Sequence, residues 1–204
     1  MAKIPEHHDV AELVTQRLVL RQWQETDKDS FAQMSADSEV MRYFPAKLNI
    51  DESNALSDKI AALIAERGYG FWAVALRGSK EVTVTSPSTD RFIGFVGLHW
   101  QTRVNPNQPF MEIGWRLHRD FWGQGYAYEA AQAALKFAFE VLSLEQVYAF
   151  TALQNRPSQQ LMRRLGMTNL NKNFAHPDLP NGHVLQSHCL YAVTRDEFEN
   201  KQSV

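Results

Sequence analysis

Trp115-Arg-Leu-His-Arg-Asp-Phe-Trp-Gly-Gln-Gly-Tyr-Ala-Tyr-Glu-Ala-Ala131 reads as the end of a β-strand passing through a glycine-containing turn into an alanine-rich helix. Gly123, Gly125 and Ala127 stand where larger side chains would block a ligand from the first backbone N–H groups of that helix. Those N–H groups lack intrahelical partners and lie at the positive end of the helix dipole, so a turn of this kind can hold a diphosphate. A strand-to-helix corner that needs small residues only for packing has the same pattern, and a bare Gly-x-Gly does not separate the two. The neighbouring residues must break the tie.

Upstream of the turn, Phe71 to Leu76, Phe92 to Trp100 and Phe110 to Leu117 read as three successive strands. Turn-rich Gly78 to Asp90 and Arg103 to Pro109 separate them, which predicts an antiparallel meander. Earlier still, Arg17 to Arg21 is a short strand, and Thr26 and Asp27 open a helix through Ala36. Apolar Leu56, Ile60, Leu63 and Ile64 recur at helical spacing between Asp51 and Glu66, with Asp51 and Ser53 as caps and Gly68 as a stop. Downstream, Gly125 to Leu142 is a helix whose Glu129, Gln132, Lys136 and Glu140 form a narrow polar stripe. Val147 to Thr151 is a strand, Ser158 to Leu165 a helix, Gly166 a turn, and Met167 onward with Ser187 to Val193 the final strands. The sum is a mixed α/β layer fold without internal repeats.

At 204 residues, 44% hydrophobic and 11% aromatic, the chain can bury a substantial core, and its length suits one domain. A formal charge of -2 gives no basic footprint for direct nucleic-acid binding. No apolar run reaches membrane-spanning length, so no membrane partner is expected. The start lacks a secretory pattern and the single cysteine, Cys189, forbids an intrachain disulfide; both fit the cytoplasm. His176 and His183 form no metal-ligand pattern with Cys189, so no metal is expected. Cys189 beside His188 reads as a strand pair rather than part of a nucleophilic triad.

The string Trp122-Gly-Gln-Gly-Tyr-Ala127 resembles the acetyl-CoA loop of the GNAT acetyltransferase superfamily, Arg/Gln-x-x-Gly-x-Gly/Ala, with Gly125 and Ala127 at the small positions. Trp122 departs from the opening Arg or Gln. The longer Phe121-Trp-Gly-Gln-Gly-Tyr-Ala-Tyr-Glu-Ala130 is similar to the RimJ/RimL-type branch, which includes ribosomal-protein alanine N-acetyltransferases and tolerates an aromatic there. The resemblance spans roughly Thr15 to Phe198. It implies one domain over residues 1–204 with a core of about 15–198, and an α/β (α+β) fold. The implied central sheet is mixed, mostly antiparallel, flanked by helices, and splayed between its fourth and fifth strands, Phe110–Leu117 and Val147–Thr151. The pantetheine arm of the cofactor enters that gap and hydrogen-bonds to the fourth strand like an added strand.

In the implied reaction, an unprotonated primary amine attacks the acetyl thioester of acetyl-CoA directly, and coenzyme A thiolate is expelled. For binding, the resemblance assigns the diphosphate to main-chain groups of Trp122, Gly123, Gln124, Gly125, Tyr126 and Ala127, with the Gln124 amide as a further donor. It places main-chain groups of Trp115, Arg116 and Leu117 near the thioester carbonyl, at a bulged exit, where Gly114 would permit a bulge or a close approach. An ordinary buried strand with a packing glycine reads the same way. Asn155-Arg-Pro-Ser158 followed by Leu165-Gly-Met167 resembles the branch's second motif, in which Asn155 contacts pantetheine and Ser158 lies near the thiol and protonates it. Asn155 and Ser158 are equally good helix starters. Glu112, alternating with Met111 and Ile113, is the leading base, with a surface glutamate as the alternative; His99 is a second candidate.

The acceptor should meet Asn171 to Gln186, with Phe174, His176, Asp178 and His183, and the early segment around Tyr43 and Phe44. An N-terminal α-amine, with a pKa of roughly 7.7–8.0, is about a tenth neutral at pH 7, whereas a lysine is neutral in less than about one molecule per thousand. An N-terminal or small-molecule amine is favoured if Glu112→Gln retains activity and a lysine if it does not, and the resemblance makes a RimJ/RimL-like protein N-terminus the leading acceptor. A small-molecule amine (polyamine, amino acid or aminoglycoside) and a non-catalytic acyl-CoA sensor are the alternatives. Monomer and homodimer are both compatible with the sequence.

Overall fold

A computed structural model describes residues 4, 5, 7, 9–78, 90–104 and 109–202. Most of the turn-rich segments at 78–90 and 103–109 lie outside the described residues. In chain order the elements are β1 (Leu13–Val14), β2 (Leu18–Arg21), α1 (Lys28–Ala36), α2 (Ile50–Arg67), β3 (Phe71–Leu76), β4 (Arg91–Gln101) and β5 (Phe110–Leu117). There follow α3 (Tyr126–Glu140), β6 (Gln146–Ala152), α4 (Arg156–Arg164), β7 (Thr168–Asn169), β8 (Phe174–Ala175), β9 (Ser187–Thr194) and α5 (Arg195–Gln202). They build one sheet in the order β1-β2-β3-β4-β5-β6-β9-β7, with β8 also on β9.

The meander from β2 to β5 is antiparallel throughout. Its strands are apolar at nearly every position because helices cover both faces. Alternation sends Trp72 toward α3, where its ring meets Phe137 edge-on at 5.4 Å. Phe95 points to the other face and meets Phe31 of α1 at 6.1 Å. α3 can lie flat on the sheet because Ala130, Ala131, Ala134 and Ala138 leave no bulk on its inner side; all are fully buried.

β5 and β6 run parallel but share a single registered pair, Glu112 with Tyr148. Beyond that pair the strands part. The splay lies between the two strands named from the sequence, although two-residue β1 makes them the fifth and sixth rather than the fourth and fifth.

Two other expectations are corrected. Asn49, not Asp51 or Ser53, caps α2: its Oδ1 accepts from Glu52 N at 2.9 Å, and Glu52 Oε2 accepts from Asn49 N at 2.9 Å. Ser53 lies inside the helix and is fully buried. Strand β5 carries no bulge, its register against β4 being unbroken from Gln101–Phe110 to Gly94–Leu117. The irregularity sits instead between β3 and β4 at Val74/Ala75. No helix among the described residues is long and apolar enough to cross a membrane.

Candidate active site

From the end of β5 the chain makes a single 3-10 turn at Arg119–Phe121 and enters α3 through Gly123 and Gly125, whose φ values of 73° and 83° are left-handed. Such a backbone favours glycine at both positions. Gly125 is the N-cap, and no side chain caps the helix there, so its first-turn N–H groups keep their anion-binding capacity. A Cβ added at Gly123 would meet no atom within 4 Å, which leaves that side of the turn open.

Arg17 holds the turn in place, a residue the sequence reading passed over. Its Nη1 donates to Gln124 O at 3.0 Å, its Nε donates to Glu129 Oε2 at 2.7 Å, and its guanidinium lies 4.5 Å over the Tyr126 ring. Glu129 Oε1 also accepts from Thr15 Oγ1 at 2.6 Å and Arg17 N at 2.8 Å. Burial opposes ionisation of Glu129, but these hydrogen bonds and the Arg17 charge outweigh it and hold the carboxyl below its ordinary range. Nothing in local spacing signals a contact across more than a hundred residues. Trp122, at the position of the motif's Arg or Gln, is 49% exposed and donates Nε1 to Leu117 O at 2.9 Å, tying the turn to the end of β5. The Gln124 amide turns back to donate to Asp120 O at 2.9 Å, which leaves its backbone for a ligand.

Between the parted strands, Trp115 Nε1 donates to Ser158 Oγ at 3.3 Å and so links β5 to the first turn of α4. Asn155 is the N-cap of α4: Oδ1 accepts from Ser158 N at 3.2 Å, and Nδ2 donates to Thr151 Oγ1 at 2.8 Å. The capping role read from the sequence is therefore real for Asn155, and it fixes where Ser158 stands.

Glu112 lies directly opposite His99 across the β4–β5 ladder, bringing together the two bases named from the sequence. Burial pushes the Glu112 carboxyl up to about 7, partly offset by Gln101 Nε2, which donates to Oε2 at 3.0 Å. Burial, then the Arg67 and Lys59 charges, lowers His99, whose ring stacks on Phe71 at 5.8 Å. Gly114 leaves room for that same ring: a Cβ there would stand 3.0 Å from Phe71 Cε1. Close approach, not a bulge, is what this glycine permits.

The two segments assigned to the acceptor meet. Tyr43, between α1 and α2, packs on Ala152, Leu179 and Leu185. Phe44 covers Arg116, with the guanidinium 4.1 Å over its ring. The His176 and His188 rings lie 4.8 Å apart, tilted by 44°, beside Phe150 and Phe174, and burial lowers both imidazoles. Asp178 pairs with Arg103, and His183 Nδ1 accepts from Leu185 N at 3.1 Å. Among the described residues no group of three His, Cys, Asp or Glu side chains is placed to hold a metal.

A strand parting lies beside an open, glycine-lined helix start whose N–H groups can hold an anion. The family model described as acetyltransferase (GNAT) domain matches residues 17–168, and the chain belongs to that family. It is an N-acetyltransferase. A relative named as an uncharacterized N-acetyltransferase, YnaD of Bacillus subtilis, is 27% identical over 187 residues, covering 91% of this chain and 98% of its own. A GNAT-family acetyltransferase from Bacillus anthracis superposes with a TM-score of 0.71 at 23% identity, over 91% of this chain and 99% of that one. Spermidine N-acetyltransferase from Vibrio cholerae, in complex with CoA and spermine, gives 0.66 at 20% identity, over 91% and 100%. RimL, a ribosomal α-N-protein acetyltransferase in complex with coenzyme A, gives 0.67 at 17%, over 92% and 99%. These three structures share the fold.

Proposed function

We propose that the chain, acting as one domain, transfers the acetyl group of acetyl-CoA to a primary amine in a ternary complex. The observation that carries this reading is the uncapped, left-handed glycine start of α3, set where β5 ends and its edge has left β6. Backbone N–H groups of residues 123–127 take the diphosphate, and Arg17, itself paired with Glu129, holds the turn through Gln124 O. Pantetheine lies along main-chain groups of Trp115, Arg116 and Leu117 in the manner of an added strand, with Asn155 and Ser158 on its other side. The Vibrio and RimL structures, both with coenzyme A, support a cofactor of this kind on this fold.

Glu112, as carboxylate, takes the proton from the acceptor ammonium directly or through a water. The neutral amine then attacks the thioester carbonyl; the C–N bond forms, the C–S bond breaks, Ser158 Oγ–H gives its proton to the departing thiolate, and the proton left on the new amide nitrogen passes through water to restore the Ser158 hydroxyl. Because a thiol of ordinary pKa near 8.5 is already a fair leaving group, the Ser158 step contributes modestly.

The leading acceptor class is a protein N-terminal α-amine of the RimJ/RimL type, supported by the string Phe121 to Ala130 and by a base raised to about 7, which suits an amine that needs little activation. A small-molecule amine is the second reading, favoured by the spermine-bound neighbour. Cytoplasmic location and a monomer or homodimer accord with the sequence. Thiol release measured with acetyl-CoA and a panel of peptides, amino acids, polyamines and aminoglycosides tests the proposal. Turnover of a primary amine is expected. Tight coenzyme A binding without turnover of any acceptor would replace the enzyme reading with a sensor.

A further inference from the structure

Among the described residues two buried arginines differ in how far they are satisfied: Arg21 leaves only its Nε without a partner, Arg116 both Nε and Nη1. Arg21, 7% exposed, makes a bidentate pair with Asp27: Nη1 donates to Oδ2 at 2.8 Å and Nη2 to Oδ1 at 2.9 Å. Arg116, 9% exposed, faces two rings instead, with Phe44 at 4.1 Å and Phe95 at 5.3 Å from its Cζ. Its Nε and Nη1 are buried and have no hydrogen-bond partner among the described residues. Ring faces attract the cation but accept none of the in-plane N–H groups, and buried donors left unmatched are costly. Burial lowers the guanidinium pKa only to about 10, so it stays charged at neutral pH.

Strand alternation puts Arg116 on the same face of β5 as Gly114 and Glu112, two and four residues away. A Cβ at Gly114 would lie 3.0 Å from Phe71 Cε1 and 3.8 Å from Glu112 Oε1, so the Phe71 ring of β3 lies over the glycine between base and guanidinium. Phe44, which covers Arg116, comes from the segment between α1 and α2 whose neighbour Tyr43 packs against the 176–186 side of the site. The guanidinium thus belongs to the acceptor side of the sheet, and its planar fork matches a carboxylate.

We infer that Arg116 is the specificity residue of the acceptor pocket, and that it receives a carboxylate carried by the amine substrate. This rests on the acetyl-transfer reading above. The acceptor class is then an amino acid or a peptide bearing an acidic group close to its free amine. A polyamine is disfavoured, because a buried, unneutralised cation repels it.

Two measurements on the full chain test the inference. First, formate is titrated while the Arg116 Nε–H resonance, identified by its loss in Arg116→Met, is followed with coenzyme A saturating. A saturable shift with formate, absent with chloride at equal ionic strength, is expected. No shift, an equal shift with chloride, or a formate response present only without coenzyme A would overturn the assignment, the last because the guanidinium would belong to the cofactor. Second, thiol release is compared for acceptors matched as carboxylate and carboxamide, such as glycine with glycinamide and tripeptides with Asp or Asn at the second position. The best carboxylate should exceed its carboxamide at least about tenfold in kcat/KM, in line with loss of a charged hydrogen bond. Arg116→Met should bring that ratio toward one, and Arg116→Lys should keep part of it. A ratio near one in the wild type, or one unmoved in Arg116→Met, contradicts the inference. If no acceptor releases thiol, acetyl transfer itself has failed while the formate titration still decides the anion site.

Discussion

Glu112, half-buried and the proposed base, would tie stability to chemistry. The native protein holds its proton up to about 7, whereas the unfolded chain releases it near the ordinary 4.5. Stability from this group is therefore full below 4.5 and declines as pH rises through 7, by up to about 3 kcal/mol. Glu112→Gln should unfold at a temperature close to wild type at pH 4 and distinctly above it at pH 8. Activity runs the opposite way, since only the carboxylate accepts a proton: wild-type kcat/KM should climb through pH 7. Glu112→Gln should lose that limb and, for an α-amine already about a tenth neutral, about tenfold in rate at pH 7. A variant with unchanged rate and an unchanged pH profile would remove Glu112 from the reaction. Alternation with Met111 and Ile113 made the facing of Glu112 legible in the sequence; its partner Gln101 was not, because a cross-strand contact depends on register.

Helix starts carry the next level of the account. Asn155 closes the first turn of α4 and anchors it to Thr151, so Asn155→Ala should cost about 1–2 kcal/mol in denaturant unfolding and loosen Ser158 as well. Ser158→Ala leaves the cap intact and should reduce turnover only a fewfold; complete loss would make Ser158 more than a proton donor to the thiol. At α3, Gly125→Val must place a β-branched residue at φ 83°, which costs about 1–2 kcal/mol, so it mixes folding with binding. Ala127→Glu is the cleaner variant. It sets a negative charge at the turn and should weaken coenzyme A binding at least tenfold by calorimetry while the unfolding temperature stays close to wild type. Sequence reading located both helix starts because glycine, Asn-x-Pro and alanine runs have local causes. It misplaced the cap of α2, where Asn49, Asp51 and Ser53 are all competent and only the path of the preceding chain selects Asn49. It also passed over β1, β8 and α5, which are too short or too polar for periodicity. Phe198 of α5 is held by packing on Phe139 at 5.3 Å, a tertiary cause.

For the whole molecule, the meander and the crossover through α3 were legible because long apolar strands and one amphipathic helix leave few ways to bury both faces of a sheet, whereas the parting of β5 from β6 was implied only by the family resemblance. What joins the distant ends was not legible. Arg17 buttresses a turn more than a hundred residues away, and Arg116 sits under Phe44, contacts that follow from the finished topology rather than from spacing. That topology sets a glycine-lined, uncapped helix start at the foot of an opened strand pair, and the proposed function rests on this juxtaposition. The most direct test is a crystal structure of the full chain with acetyl-CoA. Diphosphate oxygens within hydrogen-bond distance of the backbone N–H groups of residues 123–127, with the pantetheine arm beside β5, is the predicted result. A cofactor bound elsewhere, or a turn whose N–H groups point away from it, would contradict the account.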